Sequence, residues 1–145
     1  MIQKLIDGVI YPLTTEEISV FNAPKTLTQL QNEIIVSANN LANYKRGAIT
    51  AGISPAEMAG WSIKRQEAIG YQTSGVSVAP NLVAEAQVRG IPIGALVQKV
   101  LANANQLLAL ESAIAGRRGA IQDAALAATT TEQLLAIDVN AGWPV

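Results

Sequence analysis

The stretch "PIGALVQKVLANANQLLALESAIAGRRGAIQDAA", residues 92–125, decides the fold because apolar residues recur in it at steps of three and four. This spacing is that of one helix face, and Pro92 suits a helix start, where its missing N–H costs nothing. These apolar residues, here named the seam, are Ile93, Val97, Val100, Ala104, Leu107, Ile114, Ile121 and Ala125. The sequence therefore predicts a mainly α protein with a long C-terminal helix, whose seam is interrupted by Glu111 and Arg118.

Two partners are open to the seam at this point. Its alanines allow another helix to approach closely, and that helix belongs either to the same chain, in a bundle, or to a second chain. The second alternative is a homo-oligomer held through the long C-terminal helix. Within this helix "GRRG", residues 116–119, lacks the Gly-Lys-Ser/Thr ending and the preceding strand of a phosphate-binding loop. We interpret it as a close-contact site or a bend that carries a solvated arginine pair.

The composition excludes several classes of function. The chain of 145 residues has no cysteine and no histidine, which removes disulfides, thiolate nucleophiles, ordinary zinc sites and the commonest general base. A formal net charge of −1 provides no field to gather nucleic acid. No apolar run has the length of a membrane span. We therefore expect no cofactor, no metal, no nucleic acid and no membrane as partners.

The first 50 residues are predicted to form an N-terminal hairpin plus helices. Asp7-Gly8 favours a type I′ turn between strands at about residues 2–12, and because an isolated hairpin is marginal it should pack on something. Thr14 and Glu17 have the spacing of a capping box for a short helix that ends near residue 20. A longer amphipathic helix is predicted over 27–46, with Thr26 and Gln29 at its start and Gly47 and Gly52 at its exit.

Residues 51–145 are predicted to form a helical domain. In "ISPAEMAGWSIKRQEA", residues 53–68, Ser54 is the N-cap, Pro55 the first helical residue and Glu57 the partner that reaches back to the cap. The Gly/Ser/Thr/Pro-rich stretch 70–81 predicts an exposed loop or linker. A short helix over 82–89 follows and ends at Gly90.

The end of the chain, "TTTEQLLAIDVNAGWPV", residues 129–145, begins with another capping box, Thr129 with Glu132 or Thr130 with Gln133. A short helix to about residue 137 should follow. Trp143 either docks on this last helix or anchors a partner.

A face of the helix after Ser54 is the candidate binding surface. Met58, Trp61 and Arg65 share this face, and Trp61 is either a partly buried anchor or a stacking platform for a ligand. An enzyme would have to use carboxylates such as Glu57 and Glu67. Their ten-residue spacing places them about 80° apart and roughly 15 Å along a helix, too far for a catalytic pair. No catalytic residue is therefore predicted.

Several strings resemble proteins of tailed bacteriophages. "YPLTTEEIS", residues 11–19, resembles a segment of small tail proteins that include tail-fibre assembly proteins. "PAEMAGWSIKRQEA", residues 55–68, is similar to a phage tail-protein family of unassigned biochemical function. The stretch 82–138 resembles the remainder of that family, through Arg89-Gly90-Ile91, Gly116, Arg118, Thr129 and Glu132.

This resemblance implies a non-enzymatic tail protein whose partner is a phage tail-fibre or baseplate protein. The expected role is a chaperone that binds fibre chains through apolar helix faces until they assemble, in the host cytoplasm. The alternative is a permanent structural subunit of the virion tail that forms homo- or hetero-oligomers. Met58, Trp61, Arg65 and Trp143 are the predicted contact residues, because aromatic, Met and Arg side chains dominate interface energetics.

Overall fold

The computed structural model describes residues 3–6, 9–21 and 23–144. It confirms a mainly helical chain with an N-terminal hairpin and a long helix near the C-terminus. The elements are β1 (Gln3–Ile6), β2 (Val9–Pro12), α1 (Thr15–Phe21), α2 (Leu27–Ile49), α3 (Pro55–Ser74), a 3₁₀ helix (Gly75–Val78), α4 (Pro80–Arg89), α5 (Ile93–Ala127) and α6 (Thr131–Leu135). Strands β1 and β2 pair antiparallel with Ile6 opposite Val9. The predicted turn at Asp7-Gly8 lies outside the described residues.

Helix α5 is the element on which the other long helices pack. It has 35 residues in one uninterrupted helix, about 52 Å at 1.5 Å per residue. Helices α3 and α4 pack on its N-terminal half, around the buried Leu82, Leu96 and Val97. Helix α2 packs antiparallel on its C-terminal half, with its first turns against a cluster that contains Ala125. Each half of α5 is thus covered by a different part of the chain.

This arrangement answers the question of what covers the seam. Val97, Ile114, Ile121 and Ala125 are all buried at 1% exposure or less within the single chain. The charged interruption at Glu111 accepts hydrogen bonds from Arg46 of α2. The seam therefore packs within the molecule. The predicted domain boundary at residue 50 lies between α2 and α3, and both of these helices pack on α5. This boundary stays a prediction.

Local signals placed most helix starts correctly. The capping boxes at Thr14, Thr26 and Thr130 form in both directions, so that side chain and backbone satisfy each other. Ser54 accepts from the backbone N–H of Glu57 at 3.1 Å. The predicted second bond of this capping box, from the Ser54 N–H to the Glu57 carboxylate, is not formed among the described residues.

The loop predicted over 70–81 is wrong. Helix α3 continues to Ser74, the 3₁₀ helix follows, and α4 begins at Pro80. Gly75, with a φ of 75° that glycine adopts without strain, and Ala79, with a φ of −129° and a ψ of 50°, depart from helix geometry. Ala79, between the two helices, is fully buried against α3 and α5. Burial of this apolar residue favours a compact helical connection over an exposed loop, despite the polar composition.

The two glycine-based predictions have different outcomes. Gly47 and Gly52 bracket the exit of α2 as predicted, but the helix continues through Gly47 to Ile49, beyond the predicted end at residue 46, because a single glycine costs a helix only about 1 kcal/mol. At Gly116 and Gly119 an added Cβ would meet no atom within 4 Å, so "GRRG" is not a close-contact site. Its arginine pair is not freely solvated either, because both side chains are partly buried and Arg117 holds the C-terminal tail.

The hairpin was expected to pack on another element. Within the described residues it makes extended contact with none of the helices, and its strands contact each other. Val9, Ile10 and Tyr11 of β2 are 51%, 62% and 45% exposed. The apolar side chains of this strand are therefore uncovered in the single chain.

Candidate partner-binding surfaces

The chain exposes far more surface than a compact protein of its mass. Its accessible surface is 9780 Å². A compact monomer of 15.2 kDa exposes about 7,100 Å², so the excess is about 2,700 Å². The uncovered hairpin contributes to this excess, because the side chains of Val9, Ile10 and Tyr11 are 51%, 62% and 45% exposed. Surface of this extent is available for contact with other chains.

Three of the predicted contact residues lie together on α3. Met58 and Trp61 are half-buried and Arg65 is exposed. Steps of three and four residues place all three on one helix face. The Ser54 cap fixes where this helix begins. An apolar pair beside a guanidinium suits recognition of another polypeptide. That these residues bind a partner stays a prediction.

An open groove between α3 and α5 continues this face. Its volume is about 470 Å³. The lining residues are Arg65, Ile69 and Gln72 of α3 and Gln98, Leu101, Ala102 and Asn105 of α5. Amides, aliphatic groups and one guanidinium can bond to a polypeptide backbone and cover apolar side chains. None of these residues carries a carboxylate or a hydroxyl, the groups that acid–base chemistry would need here.

A second hollow lies where α2, the middle of α5 and the C-terminal tail meet. Its volume is about 320 Å³. It is lined by Tyr44, Lys45, Ala48 and Ile49 of α2, Leu110 and Ile114 of α5, and Pro144 of the tail. Tyr44 at its edge is 72% exposed. This hollow is mainly apolar and offers packing rather than chemistry.

Trp143 lies on a different element from the other predicted contacts. Its indole N–H donates to the Val139 carbonyl at 2.7 Å, which satisfies the ring's polar atom locally. Arg117 holds the tail on α5, because its Nε donates to the Ala141 carbonyl and its Nη2 to the Asp138 carbonyl, both at 2.7 Å. The sequence left open whether Trp143 docks on the last helix or anchors a partner, and it did not predict the role of Arg117. The half-buried ring leaves an edge for contact.

A buried carboxylate that sequence reasoning placed in a hypothetical acid–base pair has another role. Glu67 of α3 is 8% exposed. Its Oε1 accepts from Asn81 N and Nδ2, at 3.3 and 2.5 Å, and its Oε2 accepts from Leu82 N at 2.9 Å. Helix α4 begins after Ala79, which cannot cap it. Glu67 therefore caps α4 from a neighbouring helix, a contact across 14 residues that no local pattern announces.

Two ion-pair clusters join the helices. Arg46 of α2 meets Glu111 of α5, with Nη2 and Oε1 2.6 Å apart. This hydrogen bond, with the charges of Arg46 and Arg118, lowers the pKa of Glu111, and it raises the pKa of Arg46. Glu85 of α4 accepts from Lys64 of α3 at 2.7 Å and from Arg89 at 2.9 Å. These two cations lower the pKa of Glu85, the Lys64 bond most of all.

In the ranges that the structure describes, no cluster of three or more acidic side chains could hold a metal ion. None of the described helices combines the length and hydropathy that crossing a membrane requires. No protein-family model, no curated protein and no solved structure matches this chain. The expectation of a bacteriophage tail protein therefore rests on the motif resemblance alone.

Proposed function

We propose that this protein is a non-enzymatic bacteriophage tail protein that acts as a chaperone in tail-fibre assembly. The observation that carries a binding role is the surface excess of about 2,700 Å² over a compact monomer. The phage context comes from the resemblance of residues 11–19 and 55–68 to tail proteins. Its place of action in this proposal is the host cytoplasm during virus assembly.

The proposed mechanism is temporary cover for a fibre chain. Before a fibre trimer forms, each chain exposes apolar surface and unpaired strand edges that promote aggregation. The α3 face with Met58, Trp61 and Arg65 and the adjoining groove can cover apolar side chains and bond to backbone groups. The uncovered edges of the hairpin can add to an exposed fibre strand. The fibre subunits displace the protein when their own interfaces bury the same surface.

The test is co-expression with the fibre chain from the same genome. We expect the fibre chain to form soluble trimers when this protein is co-expressed and to aggregate when it is absent. Replacement of Trp61 by alanine should lower the trimer yield, whereas replacement of the outward-facing Val88, 90% exposed on α4, should leave it unchanged. Equal trimer yield with and without the protein would refute the chaperone role.

A permanent tail subunit is the second candidate, and α5 favours it. This helix presents apolar or small residues on more than one side, as do helices that stay buried in an assembly. Quantitative mass spectrometry of purified virions separates the two roles. A fixed whole-number ratio of this chain to the fibre trimer means a structural subunit, and near-zero copies mean a chaperone.

A further inference from the structure

The C-terminal segment 138–144, here named the strap, is a preformed turn. Its Asp138 carboxylate oxygen Oδ1 accepts from the backbone N–H groups of Asn140 and Ala141, at 2.9 and 3.2 Å. The indole N–H of Trp143 donates to a backbone carbonyl of the strap itself, at 2.7 Å. The strap therefore keeps its shape through hydrogen bonds of its own.

One side chain supplies the hydrogen bonds that join the strap to the rest of the chain. Arg117 of α5 donates to the backbone carbonyls of Asp138 and Ala141, both at 2.7 Å, and the described residues form no other hydrogen bond between the strap and the helices. Gly142 allows this approach, because a Cβ there would lie 3.3 Å from Arg117 Nε. No residue of the strap is buried. Arg117 thus recognises backbone shape, which other segments with the same turn and glycine can also present.

The strap covers only part of the hollow between α2 and α5. Two residues beyond Gly142, Pro144 lines this hollow together with side chains of both helices. About 320 Å³ stays open with the strap in place, and Tyr44 at the edge is 72% exposed. A donor for backbone carbonyls beside an open, mainly apolar hollow suits a bound polypeptide. The strap is a short occupant of a larger space.

We propose that Arg117 and this hollow form a peptide-binding site, which the strap closes until a segment of another chain takes its place. The segment recognised has the strap's own chemistry: two backbone carbonyls for the guanidinium, a glycine beside it, and an aromatic residue followed by proline for the hollow. A segment that also fills the open part of the hollow makes contacts that the strap does not, and this difference in affinity drives the exchange. The inference goes beyond the proposed function and is independent of the phage context.

Binding of the strap peptide from solution tests the site. The probe is a fluorescein-labelled, amidated peptide of residues 136–144, and its anisotropy is measured as the full-length protein is added. In the wild type the site is free only in molecules whose strap is released, which raises the apparent Kd of the peptide. Gly142→Val should release the strap, because valine is strained at a φ of 75° and its Cβ meets Arg117, while the site on α5 stays intact. We expect the peptide to bind Gly142→Val at least about tenfold more tightly than wild type.

Two further variants separate release of the strap from loss of the site. Arg117→Ala also releases the strap but removes the donor, so the peptide should bind it at least about tenfold more weakly than Gly142→Val. Gly52→Val is the matched control, since Gly52 has a φ of 79° but an added Cβ there meets no atom within 4 Å. This control should bind the peptide as weakly as wild type. A peptide that itself carries Gly142→Val should bind none of these proteins.

Three outcomes overturn the proposal: equal peptide affinity of wild type and Gly142→Val, no binding to Gly142→Val up to millimolar concentration, or equal affinity of Gly142→Val and Arg117→Ala. Circular dichroism checks that each variant keeps its helical content. Should valine reduce it, Gly142→Ala takes its place, because alanine introduces the same Cβ without the branch. These measurements use this chain and one peptide, so they do not affect the result of the fibre co-expression.

Discussion

Removal of the Glu67 carboxylate should destabilise the whole fold, although Glu67 belongs to no catalytic or binding surface. Glu67 is buried in α3 and accepts from the backbone N–H groups of Asn81 and Leu82 and from the Asn81 amide. These backbone groups belong to the first turn of α4, which has no cap of its own. Without the carboxylate the N–H of the fully buried Leu82 would be left unpaired, whereas Asn81 is exposed and can bond to water.

The magnitude follows from the bonds lost. Loss of a helix cap costs about 1–2 kcal/mol, and a hydrogen bond to a charged group contributes about 1.5–3 kcal/mol. Glu67→Gln keeps one acceptor oxygen but turns an N–H₂ group toward a donor, so we expect a loss of about 2 kcal/mol in the free energy of unfolding. Glu67→Ala loses every bond and leaves a cavity, and about 3 kcal/mol is expected.

Urea unfolding at one fixed protein concentration, followed by circular dichroism, measures this loss. Glu57→Gln is the matched control, because Glu57 is an exposed glutamate of the same helix whose side chain accepts no hydrogen bond from α4 among the described residues. It should change the free energy of unfolding by less than about 0.5 kcal/mol. Amide exchange at Leu82 should also accelerate in the Glu67 variants. A Glu67→Gln protein as stable as the Glu57→Gln control would refute the assignment of Glu67 as the cap of α4.

Three further predictions concern the tail, the acid stability and the binding face. Arg117→Ala removes two hydrogen bonds to the C-terminal tail. In a Trp61→Phe background the fluorescence emission of Trp143 should therefore shift to the red. An unchanged spectrum would show that the tail stays in place without the arginine. Because Lys64 lowers the pKa of Glu85 in the folded state, this carboxylate stabilises the fold at neutral pH, and its contribution is lost as the pH falls through the lowered pKa. Wild type should therefore lose more stability on acidification than Glu85→Gln, and parallel pH profiles in urea titrations would contradict this. Trp61→Ala should weaken binding of the co-expressed fibre chain by more than about 1 kcal/mol if the ring is a hot spot, whereas a variant that unfolds would identify Trp61 as core.

Local sequence patterns predicted the helix starts because their interactions are local. The capping boxes at Thr14, Thr26 and Thr130 depend on residues three apart, and all three form, the last of them being one of the two alternatives that the sequence offered. Gly90 ends α4 with a φ of 63°, in the left-handed conformation that glycine adopts readily. The seam likewise predicted one face of α5, since its positions recur at steps of three and four, with Glu111 and Arg118 at two of these steps.

Composition was a weaker guide where burial decided the outcome. The polar stretch 70–81 predicted a loop, but the burial of Ala79 holds it in a helical connection. "GRRG" predicted close packing at its glycines, but its effect comes from Arg117, which reaches the tail. For the candidate site, the sequence placed Met58, Trp61 and Arg65 on one face correctly, while the groove beside them depends on how α3 lies on α5.

The sequence by itself determined the helical class, the cap positions and the apolar side of α5, because these depend on neighbours within about one helical turn. Only the tertiary structure decided which helices cover that side, which carboxylate caps α4, and which side of α5 is left open. The contacts responsible join residues far apart in the chain: Glu67 and Asn81 are 14 residues apart, and Arg46 and Glu111 are 65 apart. Such pairs carry no periodic signal, so they are fixed when the helices dock and bury their apolar faces against each other.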